Sequence, residues 1–71
     1  MMPLSMVNVG EPHEIQRVGG NEETKRFLEN LGFVTGASVT VVSTVEGNII
    51  VNVKDSRIAI GKDMATKIMV S

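Results

Sequence analysis

The chain has 71 residues, 42% of them hydrophobic, with seven Lys and Arg against eight Asp and Glu for a net charge of −1 and a pI near 5.7. That length predicts one small domain spanning residues 1–71, and it excludes a multidomain protein or a large catalytic scaffold. The charge balance argues against bulk phosphate neutralisation, so nucleic-acid binding is not expected, and the lack of cysteine removes disulfides, thiol nucleophiles and cysteine metal sites.

The N-terminal stretch Met1-Met2-Pro3-Leu4-Ser5 has neither the basic segment nor the apolar run of a secretory signal, and no apolar run is long enough to span a bilayer. A cytoplasmic protein is therefore expected. Val and Ile dominate the apolar residues, and their stiff β-branched side chains suit a pleated surface better than a helix. The fold class expected is mainly β.

A first strand is predicted over 13–18. Ile15 and Val18 would there face opposite ways, which calls for a bulge or bend. Residues 21–31 carry the other periodicity: Thr24, Phe27, Leu28 and Leu31 make one stripe of an amphipathic helix, capped by Asn21 and stopped by Gly32. Phe27 and Leu31 are expected to dock this helix, so Phe27→Ala should cost about 3 kcal/mol. Thr35-Gly36 reads as a type II turn, with Gly supplying the positive φ.

Four more strands follow from period-two alternation, at 38–45, 49–54, 57–61 and 66–70, with Val39, Val41, Ile49, Val51, Val53, Ile58, Ile60, Ile68 and Val70 facing the core. Gly47-Asn48 and Asp55-Ser56 are the expected hairpin turns, and 62–65 suits a short helical turn. Five strands around so small a core predict a closed or nearly closed barrel with one inserted helix. Val42, Ile50 and Met69 fall on the faces away from that core.

No catalytic set emerges. Gly19-Gly20 lies between a strand and a helix like a phosphate-binding loop, but it fits neither glycine motif, and Glu22 and Glu23 would repel an anion there. Glu11 and His13 share one face of an extended segment with Glu14 on the other; two ligands make at most an adventitious divalent site, so no metal or cofactor site is assigned. Phe27 and Phe33 are the only aromatics and are expected in apolar contacts, which leaves no stacking platform for single-stranded nucleic acid.

The order Leu31-Gly32-Phe33-Val34-Thr35-Gly36, Val39-Thr40-Val41-Val42, Gly47-Asn48, Val51-Asn52-Val53, Arg57-Ile58-Ala59-Ile60 and Ala65-Thr66-Lys67-Ile68-Met69-Val70 resembles the ferrous iron transport protein A (FeoA) family over almost the whole chain. Thr35 stands where members often carry Pro. The resemblance implies an SH3-like barrel without enzymatic activity, a cytoplasmic accessory of the FeoB membrane transporter and its GTP-binding domain. It also relates the chain to the SH3-like domain of iron-dependent repressors of the diphtheria-toxin-repressor type, a second reading as a partner module; a small nucleic-acid-binding barrel is a third. A weak homo-oligomer is compatible with each. For a protein partner, the loop pinned between Gly32 and Gly36 is the expected anchor, giving Leu31, Phe33, Val34 and Thr35 as candidate binding residues, with Phe33 or Val34 pointing outward.

Overall fold

A computed structural model describes residues 1–71. The elements in chain order are β1 (Met2–Pro3), a 3-10 turn at Leu4–Met6, β2 (Pro12–Val18), α1 (Glu22–Asn30), β3 (Ser38–Val45), β4 (Asn48–Val53), β5 (Ser56–Gly61), α2 (Lys62–Ala65) and β6 (Ile68–Val70). All neighbouring strands are antiparallel, in the order β1-β6-β2-β3-β4-β5. The expected strands and both helical segments are present. A two-residue strand, β1, is added at the edge beside β6, making six strands rather than five.

One hydrophobic cluster lies inside the curled sheet. Its members are Leu4, Ile15, Val18, Leu28, Phe33, Val39, Val41, Ile49, Val51, Val53, Ile60, Ala65, Ile68 and Val70. Every strand from β2 to β6 thus contributes its alternate residues to the same interior, which requires the sheet to wrap. Ile58, on the edge strand β5, is the one alternating residue that stays half-buried. The bend expected in β2 is a register shift against β6 between Ile15 and Arg17, and it brings both Ile15 and Val18 inward. A second shift falls in β3 between Val41 and Ser43.

Both hairpin turns sit one residue earlier than expected. Val45 pairs with Asn48 and Val53 with Ser56, so the turns are Glu46-Gly47 and Lys54-Asp55. Glu46 and Gly47 have φ of 44° and 84°, the left-handed pair that matches the twist of a two-residue hairpin, and Asn48 is free to join β4.

The helix is closed at both ends by its own sequence. Asn21 Oδ1 accepts the Thr24 N–H at 2.8 Å, and Glu22 and Glu23 occupy the first turn. At the other end Gly32 takes φ of 110°; its N–H donates to the Glu29 carbonyl at 3.0 Å, and the Phe33 N–H donates to the Leu28 carbonyl at 3.0 Å. This is the Schellman arrangement, with Phe33 and Leu28 as its apolar pair. Removing the cap with Asn21→Ala should lower stability by about 1 kcal/mol, seen as a fall of about 5 °C in Tm; no change would mean that water replaces the cap without loss.

The docking of the helix corrects the expectation about Phe27. Leu28 and Phe33 are fully buried, whereas Phe27 is 51% exposed and Leu31 packs half-buried against the cluster. The Schellman clip sets Leu28 against Phe33, turning the helix by about one residue so that Phe27, roughly 100° from Leu28 around the axis, is carried to the flank.

Candidate partner-binding surface

The turn after the helix is held from two sides. Ala37 N–H donates to the Val34 carbonyl at 3.0 Å with Gly36 at φ of 92°, the type II geometry expected of Thr35-Gly36. Gly36 N–H donates to the Ile15 carbonyl at 2.8 Å and Ile15 N–H to the Ala37 carbonyl at 2.9 Å, which ties the turn to β2. On this base Val34 is half-buried and Thr35 exposed, while Phe33 lies wholly in the core and offers no contact surface. Leu31 presents part of its side chain beside them.

Further exposed apolar surface lies on α1 at Phe27. A shallow recess of about 320 Å³ between α1 and α2 is lined by Glu23, Thr24, Phe27 and Met64, with Met64 half-buried against the core. A second recess shares Phe27 and Glu23 and adds Glu22, Arg26 and Asn30. Phe27 is thus a half-exposed aromatic on a capped helix, with side chains of both charges around it. Phe27 was expected inside and Met64 was not singled out. The available signal was that Phe27 and Leu28 are adjacent, so only one of them can centre the inward stripe.

The remaining candidates are separate from this face. His13 Nε2 lies 3.8 Å from Glu11 Oε1, and its Nδ1 lies 2.6 Å from the Ser71 main-chain oxygen, which fixes Nδ1 as the protonated donor nitrogen. Glu14 is turned away and accepts from Gln16 Nε2 at 3.3 Å. No three His, Cys, Asp or Glu side chains come together. Gly19 N–H is taken by the Lys67 carbonyl at 2.7 Å, and Gly20, at φ of 97°, leads directly into the Asn21 cap. That segment is a strand-to-helix turn. Val42, Ile50 and Met69 are half-buried on the outer faces of their strands. No helix is long and apolar enough to cross a membrane.

The FeoA domain matches this chain over residues 2–71. The putative Fe(2+) transport protein A of Methanocaldococcus jannaschii is 31% identical over 70 residues, covering 99% of this chain and 85% of that protein. A crystal structure of an iron uptake regulatory protein, FeoA, superposes with a TM-score of 0.90 at 31% identity, covering 99% of this chain and 93% of the other. The zinc complex of Stenotrophomonas maltophilia FeoA, described as an SH3-domain protein, superposes with a TM-score of 0.86 at 27% identity, covering 100% and 91%. The fold alone recurs in a manganese-dependent transcriptional repressor, at 19% identity and a TM-score of 0.90 over 40% of that chain. With the domain matched from the second residue to the last, on an SH3-like barrel, this chain belongs to the FeoA family of ferrous iron transport accessory proteins.

Proposed function

We propose that residues 1–71 act as one binding module on the cytoplasmic side of a FeoB-type ferrous iron transporter, touching that membrane protein through the face made by α1 and the turn after it. Phe27 carries the reading. A half-exposed aromatic on a helix closed at both ends, with Met64 beside it and Leu31 one turn further along the helix, is a preorganised anchor that loses little conformational freedom on binding. Glu22, Glu23 and Arg26 provide a polar rim of both signs. The proposed contact residues are Leu31, Val34 and Thr35, joined by Phe27. Phe33 supports them from beneath.

The test is Val34→Asp. Val34 is half-buried in a turn tied to β2 by main-chain bonds, so the fold should persist while any interface formed there gains an unpaired charge. Pull-down of the transporter and ferrous iron uptake in cells should both fall at least tenfold, a loss of about 1.4 kcal/mol in the contact. Wild-type behaviour in both, with an unchanged circular dichroism spectrum, would move the interface elsewhere. Co-purification with a DNA-binding chain instead of the transporter would favour the repressor-module reading, for which the shared fold is the supporting observation.

A further inference from the structure

We propose that β5 is the interface of a symmetric dimer, in which the free edge of this strand pairs antiparallel with the same strand of a second copy of this chain.

β5 ends the sheet: Ser56–Gly61 pairs with β4 on one side and with nothing on the other. The direction of its main-chain groups follows from the ladder. Lys62 N–H donates to the Gly47 carbonyl at 3.0 Å, one step beyond the Ile49 and Ile60 pair, so Ile60, Ile58 and Ser56 turn their N–H and C=O groups toward β4. Arg57 and Ala59 therefore point theirs outward, as does the Gly61 N–H, while the Gly61 carbonyl begins α2. The strand carries no proline, and its single charge does not guard the edge, because Arg57 Nε donates to Asn52 Oδ1 at 3.2 Å and is drawn back over β4.

The edge complements itself. A two-fold axis through Ala59 sets this residue opposite its own copy, Arg57 opposite Gly61 and Ile58 opposite Ile60. The two Ala59 residues exchange both main-chain bonds, and the Gly61 N–H reaches the Arg57 carbonyl of the second copy. Gly61 remains extended, at φ of −69° and ψ of 155°, so the strand keeps its geometry to its last residue. The long side chain of Arg57 meets the residue without one, and no like charges oppose within the paired stretch. On the outer face Ile50 and Ala59 are cross-strand partners, so the two copies join their apolar stripes across the axis. Growth stops at two. The opposite edge, β1, is only two residues long, and an isologous contact closes on itself.

Sedimentation equilibrium of the full chain from about 10 µM to about 1 mM reads the dimer directly, with a Kd on the order of 0.1 mM expected for so small an interface. Ala59→Glu and Ala59→Lys each place like charges across the axis while keeping the outward N–H, and each alone should weaken association at least tenfold. Mixing the two variants should restore it as a heterodimer. In the wild type, the Ala59 and Gly61 amides should exchange more slowly as concentration rises, a readout that does not depend on either variant folding. A wild-type chain that stays monomeric to about 1 mM overturns the proposal and leaves the edge to a strand of another protein. Two folded variants that self-associate like the wild type place the dimer contact elsewhere and overturn it equally.

Discussion

Phe33→Ala is expected to lower Tm by about 20 °C or more, the largest single effect of any side-chain truncation in this chain. Phe33 is fully buried and is also the residue whose N–H closes the C-terminus of α1. Its ring fills the space between that helix and the sheet, and an Ala there leaves a cavity that the main-chain bonds tying the turn to β2 prevent from collapsing. Such truncations cost about 3–5 kcal/mol. A domain of this length has a stability of roughly 4–10 kcal/mol in total. Thermal unfolding followed by circular dichroism measures the change, and a fall of less than about 5 °C would show that the core closes over the gap.

Leu28→Ala and Phe27→Ala form the second prediction, as a contrast between adjacent residues. Leu28 is fully buried under the sheet, and its truncation should cost about 3 kcal/mol. Phe27 is half exposed, and its truncation should change stability by less than about 1 kcal/mol. Binding should order them the other way: Phe27→Ala weakens transporter pull-down while the protein stays folded. Equal destabilisation by the two truncations would mean that Phe27 shares the core. Equal pull-down by Phe27→Ala and wild type would remove the aromatic anchor from the proposed interface.

The contrast also marks how far periodicity reaches. Thr24, Phe27, Leu28 and Leu31 do form one stripe, but a stripe defines a face only to within about one residue of rotation. Which of Phe27 and Leu28 faces inward is decided by the main-chain clip at Gly32, which seats Leu28 against Phe33. The same clip buries Phe33, so of Phe33 and Val34, at least one of which was expected to point outward, it is Val34 that keeps exposed surface. Leu4 was illegible for a different reason. It sits in a three-residue 3-10 turn with no period to read, yet it is 1% exposed because α2 and β6, far along the chain, cover it.

The sequence by itself determined the strands from β2 to β6, the bend in β2, both helix caps and the type II turn. In each case the information is local: alternation of Val and Ile, one Asn before a helix, one Gly after it. The family likeness was legible on the same terms, in the order and spacing of short motifs. Tertiary structure alone decided the rotation of α1, the places of the two hairpin turns, the burial of Leu4 and the free edge at β5. Those depend on contacts between residues distant in sequence, where closing the ladder and filling the core outweigh local preference.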